Sequence, residues 1–256
     1  MFADPLAIPI LGRAGAGLLE RRLEPAEARA WRGMRASIAA RSRFSEDLLH
    51  QAVRNGTSQF VLLGAGLDTF GVRNPHRNVR VFEVDHPSTQ AFKRTQLEDA
   101  SIEIPDSLTF VPLDFGNQAA IDALGAAGFR CDAPAVFSWL GVTMYLEPAV
   151  LFEMLASIAA GTAPGTVIVF DYIVPPTAVA DSVLRARYEA LAERVAAIGE
   201  PWLSYFEPQQ VAEGLRSCGF TQIEDWDGAA LNTRYFARRT DGLAVRPTVH
   251  LIAARV

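Results

Sequence analysis

Short apolar runs alternate with segments of helical periodicity through the middle of the chain. Five of these runs have the length of β-strands, at residues 59–63, 79–85, 108–113, 133–138 and 165–172. The second, third and fourth runs are each followed by a segment of helical periodicity, at residues 87–100, 118–127 and 148–160. Strands that alternate with helices of about 10–15 residues indicate βαβ units, in which helices cover both faces of a parallel sheet. The pattern therefore predicts an α/β, Rossmann-like, doubly wound fold.

The two ends of the chain depart from this alternation. Residues 23–53 have helical periodicity, which we interpret as two helices that form an N-terminal cap. After residue 172 we predict two helices and then two strands, at residues 181–198, 208–217, 220–226 and 248–256. The connection at residues 227–247 is too long for a hairpin turn and is expected to carry structure of its own. The two added strands bring the mostly parallel sheet to seven.

Composition is typical of a globular protein and argues against nucleic-acid binding. Of the 256 residues, 50% are hydrophobic and 21% are charged, and the formal net charge is −5. Lys93 is the only lysine, and no basic run is present that would neutralise a phosphate track. Cys131 and Cys218 are too few for a disulfide framework or a metal cluster, so each is expected to be a small core residue.

The sequence carries no signal for a membrane. Asp4 and two prolines stand where a signal peptide would have a basic region and an uninterrupted apolar stretch. The uncharged run at residues 133–146 is shorter than the roughly 18–20 residues that a spanning helix needs. We therefore expect a cytoplasmic protein with neither a membrane nor a nucleic acid as partner.

A glycine-rich turn directly follows the first predicted strand. Gly64 and Gly66 lack a Cβ, so the chain there can turn sharply and approach a ligand closely. Glu83 and Asp85, which lie 19 and 21 residues after Gly64, end the second predicted strand, where a carboxylate accepts hydrogen bonds from ribose hydroxyls. We expect the two carboxylates to face opposite sides of the strand, so that only one reaches the ribose. An ordinary tight turn and a helix N-cap remain alternative interpretations.

The residues after the glycines distinguish between two nucleotide cofactors. A dinucleotide site has the pattern Gly-x-Gly-x-x-Gly, and Thr69 stands in place of its third glycine. The carboxylate of Asp68 would repel a pyrophosphate, whereas it can hold the α-ammonium group of S-adenosylmethionine (SAM), directly or through water. The pattern therefore favours SAM over NAD, with S-adenosylhomocysteine as the product.

The third predicted strand ends in Asp114 and Phe115. An acid followed by an aromatic residue suits an adenine site, because the carboxylate accepts from the exocyclic amine while the ring packs against the base. A turn aspartate ahead of Gly116 explains Asp114 equally well in isolation. Ligands of open α/β sheets bind at the carboxyl ends of the strands, so the glycine turn, Asp85 and Asp114 are expected at one edge of the sheet.

Three segments, residues 61–69, 82–87 and 137–146, resemble class I SAM methyltransferases of the leucine carboxyl methyltransferase type. That group includes bacterial members and polyketide O-methyltransferases, and the resemblance extends from Asp4 to residues 232–236. No linker interrupts the chain, so we predict one domain over residues 1–256. It divides into a helical cap, a cofactor-binding core, a variable insert on the acceptor side and a last strand, at residues 1–55, 56–175, 176–247 and 248–256.

The resemblance implies roles for the matching residues. Arg43 would meet the SAM carboxylate, and Gly64 and Gly66 would contact the methionine moiety. Asp85, rather than Glu83, would bind the ribose. The complete cofactor-binding set expected from the sequence is Arg43, Gly64, Ala65, Gly66, Asp68, Asp85, His86, Asp114, Phe115 and Ser138.

One position departs from the eukaryotic carboxyl methyltransferases that the chain resembles. Leu140 stands where those enzymes carry a glutamate, whereas bacterial members often have the sequence found here at residues 138–143. The departure leaves SAM binding in place. It argues against the substrate of the eukaryotic enzymes, which is the C-terminal leucine of a phosphatase.

We predict an O-methyltransferase that acts on a carboxylate or a hydroxyl of a small molecule in secondary metabolism. A carboxylate needs no general base, whereas a hydroxyl must lose a proton. The sequence assigns no catalytic base, although His86 and a tyrosine are candidates. His250 lies on the last predicted strand and is expected to have no partner. The predicted walls of the acceptor pocket are Tyr145, Tyr172, Trp202, Tyr205, Arg234 and Tyr235.

Two other functions are the alternatives to a methyltransferase, namely an NAD(P)-linked reductase and a non-catalytic SAM-fold interaction protein. No metal site and no oligomeric state are predicted.

Overall fold

The described part of the chain folds around one seven-stranded sheet. The structure is a computed structural model that describes residues 3–12, 15, 17, 25–114 and 120–256. The helices are α1 (Pro25–Arg54), α2 (Phe70–Arg73), α3 (Pro87–Asp99), α4 (Ala120–Ala126), α5 (Pro148–Gly161), α6 (Ser182–Ala197), α7 (Pro208–Ser217) and α8 (Gly228–Tyr235). The strands are β1 (Gln59–Leu63), β2 (Arg80–Asp85), β3 (Leu108–Pro112), β4 (Val136–Trp139), β5 (Val167–Ile173), β6 (Gln222–Trp226) and β7 (Val249–Arg255). Short 3-10 turns lie at Pro9–Leu11, Thr143–Tyr145 and Pro176–Ala178.

The strand order in the sheet is β3-β2-β1-β4-β5-β7-β6. Strands β1 to β5 run parallel, whereas β7 runs antiparallel to both β5 and β6. The predicted doubly wound, mostly parallel sheet of seven strands is thereby confirmed. The strand order reverses between β1 and β4, and such a reversal opens a crevice at the carboxyl ends of the two strands.

Both faces of the central strands are buried. Every residue of β1 and of β5 is buried. Phe82 and Phe137 belong to the core cluster on the α4 and α5 face, whereas Phe60 belongs with Leu49 of α1 to a cluster on the other face. Because apolar side chains are needed on both faces, these strands appear in the sequence as continuous apolar runs rather than as alternating patterns.

The structure corrects two expectations. Residues 23–53 were expected to form two helices, but the described part of this region is one continuous helix, α1, whose sequence has no proline after its first residue. Cys131 is exposed rather than in the core, while Cys218 is half-buried and packs against the core as expected.

The connection at residues 227–247 does carry structure, since it contains α8. No helix within the described ranges is long and apolar enough to cross a membrane.

Candidate functional site

A cleft of about 590 Å³ lies at the carboxyl ends of β1 and β4. This volume falls within the range of small-molecule sites, roughly 300–1,000 Å³. Of the ten expected cofactor residues, five line the cleft: Gly64, Ala65, Gly66, Asp68 and Ser138. The other lining residues come from the N-terminal segment, α1, β1 and neighbouring loops, and are Asp4, Ala7, Arg35, Ile38, Ala39, Arg41, Ser42, Leu62, Leu63, Leu67, Arg73 and Leu140.

The loop after β1 depends on its two glycines. Gly64 has φ 65° and Gly66 has φ 49°, both in the left-handed region that favours glycine. A Cβ on Gly64 would lie 2.5 Å from Cγ2 of Val142, so a side chain there would also collide with the loop after β4. A Cβ on Gly66 would meet no atom within 4 Å. The loop therefore needs glycine for its backbone at both positions, and at Gly64 for space as well.

Asp85 ends β2 and holds the same loop. Its Oδ2 accepts the N–H of Gly66 at 2.6 Å, and its Oδ1 accepts the N–H of His86 at 2.7 Å. The carboxylate is thus fixed beside the glycine loop at the edge of the sheet, where a ribose acid is expected. Asp85 is not among the residues that line the cleft, so its contact with ribose stays a prediction.

The expectation that Glu83 and Asp85 face opposite ways is wrong. Positions two apart on a strand share a face, and both side chains lie toward the loop after β1. The two carboxylates differ in depth, since Glu83 is 1% exposed and its Oε2 lies 2.6 Å from Nζ of Lys93. Burial raises the pKa of Glu83 to about 7, against the lowering influence of Lys93. An acid enclosed in this way does not reach a ribose in the cleft.

Arg41, rather than Arg43, lines the cleft. Nη1 of Arg41 lies 2.9 Å from Oδ2 of Asp171 on β5, a buried carboxylate that also accepts the N–H of Gly141 at 2.6 Å. Arg43 is 45% exposed along its side chain and pairs with Asp47 at 2.7 Å. The sequence did not single out Arg41, because it lies two residues from Arg43 in the segment Arg41-Ser-Arg43-Phe44. Only the orientation of α1 against the sheet shows which of them faces the cleft.

The N-terminal segment is attached to the loop after β1 through Asp4. The hydroxyl of Thr69 donates to Oδ2 of Asp4 at 2.6 Å, and Nε of Arg73 lies 3.5 Å from the other oxygen. Oδ1 of Asp68 accepts the N–H of Phe70 at 2.7 Å. Thr69, which stands in place of the third glycine of a dinucleotide motif, is therefore a buried residue with a hydrogen-bonding function of its own.

The end of β4 contributes a serine and an apolar residue to the cleft. The hydroxyl of Ser138 accepts a hydrogen bond from that of Ser45 at 2.9 Å, which connects β4 with α1 in the interior. Leu140, the residue that departs from the resemblance to the eukaryotic enzymes, also lines the cleft. This strand end therefore supplies the cleft with a hydroxyl and an aliphatic side chain.

Three further residues of the expected cofactor set follow β2 and β3 in the sequence. His86 is exposed and begins α3, where its Nδ1 accepts the N–H of Ser88 at 3.3 Å. Asp114 is exposed and follows β3. Phe115 lies outside the described residues. His86 is thus the N-cap of α3, whereas the cofactor roles of all three stay predictions.

None of the six expected acceptor residues is among the described residues that line the cleft. Tyr172 is 1% exposed, and its hydroxyl donates to Oδ2 of Asp225 at 2.6 Å and lies 3.2 Å from Nδ1 of His250. The expectation that His250 has no partner is therefore wrong, because it contacts both residues. Burial and the neighbouring Asp225 raise the pKa of Tyr172, so this hydroxyl keeps its proton at neutral pH.

Trp202 and Tyr205 form an aromatic cluster with Tyr188 of α6. Their ring centroids lie 5.7 and 6.5 Å from that of Tyr188. Tyr145 lies in the turn after β4 and is 37% exposed. Trp202 and Tyr205 belong to the variable insert, and the contact of these aromatic residues with an acceptor stays a prediction.

Arg234 and Tyr235 lie on α8 and contact α1 and β6. The hydroxyl of Tyr235 donates to Oδ2 of Asp47 at 2.9 Å. The guanidinium of Arg234 lies 5.4 Å from the ring centroid of Phe44 and 5.0 Å from that of Trp226, within the range of cation–π contacts. These contacts hold α8 against α1. Among the described residues, no group of three or more His, Cys, Asp or Glu is placed to hold a metal ion.

Comparison with known proteins shows close similarity to methyltransferases. A family model described as leucine carboxyl methyltransferase matches residues 1–159. The putative SAM-dependent methyltransferase YktD of Bacillus subtilis is 37% identical over 217 residues, which cover 84% of this chain and 71% of that protein. A putative SAM-dependent methyltransferase of Mycobacterium avium is 33% identical over 200 residues, which cover 75% of this chain and 66% of that protein.

Solved structures share the fold at low sequence identity. A DUF574 family protein from Streptomyces avermitilis has a TM-score of 0.61 at 16% identity, covering 99% of this chain and 97% of that one. Human N-acetylserotonin methyltransferase in complex with SAM has a TM-score of 0.50 at 12% identity, covering 77% and 47%. These similarities show the class I methyltransferase fold. Since the family model matches more than half of its length, the chain belongs to the leucine carboxyl methyltransferase family of SAM-dependent methyltransferases.

Proposed function

We propose that the protein transfers the methyl group of SAM to an oxygen of a small-molecule acceptor, in the cytoplasm and in secondary metabolism. The cleft at the ends of β1 and β4 carries the proposal, because Arg41 and Asp68 line one space there. A guanidinium and a carboxylate match the carboxylate and the α-ammonium of the methionine moiety. Gly64 and Gly66 keep the loop between them free of side chains.

When bound, SAM would supply a methyl group on a sulfonium, from which the neutral thioether S-adenosylhomocysteine leaves readily. The protein contributes alignment, which is worth up to about 7–11 kcal/mol in favourable cases. Arg41 and Asp68 would hold the methionine end, and Asp85 at the end of β2 would hold the ribose. Leu62 and Leu140 add apolar side chains to the lining of the cleft.

The cleft lining favours an acceptor oxygen that is already ionised. The described lining residues include no His, Tyr, Cys or Lys. Of the two acids in the lining, Asp4 accepts from Thr69, and Asp68 is assigned to the α-ammonium of SAM, so neither is left to act as a base. An alcohol would have to give its proton to a base, whereas a carboxylate attacks without one. We therefore infer that the acceptor is a carboxylic acid rather than an alcohol.

Two measurements test the proposal. Isothermal titration with SAM, S-adenosylhomocysteine and NADH is expected to show heat for the first two alone, and no heat with SAM would reject the proposal. The protein is then incubated with SAM and paired carboxylic acids and alcohols, and mass spectrometry detects any acceptor that is heavier by one CH2. Methylation of alcohols alone would contradict the carboxylate inference. SAM binding without any product would support the non-catalytic alternative.

A further inference from the structure

A buried ion pair lies beneath the loop after β1, outside the cleft. Glu83 on β2 and Lys93 on α3 have side chains that are 1% and 2% exposed, with 2.6 Å between Oε2 and Nζ. Lys93 is the only lysine of the chain. Removing two charges from water is costly, and a buried pair is often no more stabilising than apolar residues of the same volume. The pair therefore calls for a role other than stability.

The ammonium of Lys93 also contacts the cofactor loop itself. Nζ donates to the main-chain carbonyl of Asp68, the residue whose side chain lines the cleft. The preceding part of the loop is held from another side, because the carboxylate of Asp85 accepts the N–H of Gly66 at 2.6 Å. Lys93 thus connects the far end of the loop to β2 and α3.

The position of Lys93 is itself fixed. Nε2 of Gln90, one turn earlier on α3, donates to the carbonyl of Glu83 at 2.9 Å and to that of Val111 on β3 at 2.9 Å. These two bonds attach α3 to two neighbouring strands. The lysine therefore projects from a helix that is held against the sheet, and its ammonium reaches the loop at a defined place.

Within the described part of the chain, only one of the two carboxylate oxygens of Glu83 has a hydrogen-bond partner. Its Oε1 has no hydrogen-bond partner among the described residues, and a Cβ on Gly71 would lie 2.5 Å from this oxygen. A buried polar atom without a partner lowers stability. An arrangement that leaves one oxygen without a partner, yet directs the ammonium to a main-chain carbonyl, is better explained by loop placement than by stability.

We propose that Lys93 is a positioning residue of the cofactor site. Held by Glu83, its ammonium fixes the carbonyl of Asp68, and with it the turn that presents the Asp68 side chain and Gly66 to the methionine end of SAM. The inference rests on the proposed function, because it takes the cleft to be the SAM site. Without the ammonium the loop samples more conformations, and ordering it on binding costs affinity.

The test compares stability with SAM affinity in the full chain. Lys93→Met leaves the buried carboxylate of Glu83 unpaired, so this variant is expected to lose stability. The double variant Lys93→Met/Glu83→Gln removes both charges and is expected to unfold near the wild-type midpoint. Its Kd for SAM, measured by isothermal titration, is nevertheless expected to rise at least roughly fivefold, because the Asp68 carbonyl still lacks its charged donor.

Wild-type SAM affinity in the double variant would overturn the proposal. Lys93→Arg is the rescue variant, because a guanidinium keeps the charge and has donors for both acceptors. If the double variant does not fold, Lys93→Arg and Lys93→Met are compared at a temperature where both are folded. Recovery of affinity in Lys93→Arg supports the proposal, and equal loss in both rejects it. Absence of SAM binding by the wild-type protein would reject the proposed function itself.

Discussion

Arg41 of α1 pairs with Asp171 of β5, with 2.9 Å between Nη1 and Oδ2, at the edge of the cleft. Arg43, two residues further along the same helix, pairs instead with the partly exposed Asp47. The two arginines therefore face different surroundings, although they lie two residues apart. Arg41 supplies a cation to the cleft, whereas Arg43 contributes to the contacts on the α8 side of α1.

This difference gives a matched pair of variants. Arg41→Ala is expected to weaken SAM binding at least roughly tenfold, because the carboxylate of the methionine moiety loses a charged donor. Some stability is expected to be lost as well, since Asp171 keeps a buried charge without its guanidinium. Arg43→Ala is the control and is expected to leave the Kd for SAM unchanged. The reverse result in isothermal titration would restore the assignment of Arg43 to the SAM carboxylate.

Asp85→Ala is expected to weaken SAM binding at least roughly tenfold. The ribose hydroxyls would lose a charged acceptor, and the N–H of Gly66 would lose the partner that holds the loop. The control is Asp132→Ala, which removes an exposed acid that does not line the cleft. Equal SAM affinities of Asp85→Ala and wild type by titration would show that another residue binds the ribose.

Gly64→Ala is expected to destabilise the protein by about 1–3 kcal/mol. Its φ of 65° strains any side chain, and the new Cβ would lie 2.5 Å from Cγ2 of Val142. Adding Val142→Ala relieves the collision but not the backbone strain, so recovery is expected to be partial. Gly125→Ala, at an uncrowded helical position of α4, is the control and is expected to be neutral or slightly stabilising. Thermal unfolding is measured for wild type, the two single variants and the double variant. Full recovery of stability in the double variant would exclude backbone strain.

Glu83 is expected to make stability depend on pH. Its pKa in the folded protein is about 7, above the ordinary value of 4.5, so the native state holds this proton more tightly than the unfolded state. The stability that Glu83 contributes is therefore fully present below pH 4.5 and is lost as pH rises to 7. Urea unfolding of wild type and Glu83→Gln at about pH 5 and about pH 8 measures this contribution. The free energy of unfolding of wild type, relative to that of Glu83→Gln, is expected to be higher at the lower pH. The same difference at both pH values would contradict the raised pKa of Glu83.

Tyr172→Phe is expected to reduce stability by about 1 kcal/mol without changing SAM affinity. The variant removes the hydrogen bond to Asp225 and the contact with His250 while keeping the buried ring. Urea unfolding and SAM titration separate the two effects. A weaker SAM complex at unchanged stability would place Tyr172 at the site after all.

The order of elements was predictable because it depends on local patterns. Apolar runs of strand length and intervening helical segments indicated five parallel strands and two further strands, all of which the sheet contains. Gly64 and Gly66 directly after the first strand, and Asp85 at the end of the second, marked the edge of the sheet where the cleft lies. The continuity of α1 was missed, because helical periodicity alone does not show whether a long amphipathic segment is interrupted.

The sequence by itself determined the fold class, the edge of the sheet where the cleft lies and the preference for SAM, because strand length, glycine and acid spacing are properties of neighbouring residues. Only the tertiary structure decided that Arg41 lines the cleft, that Glu83 is enclosed with Lys93 and that Tyr172 lies in the core. These facts depend on how α1 is rotated against the sheet and on which side chains of distant strands meet. Such contacts are set by packing between elements that lie far apart along the chain.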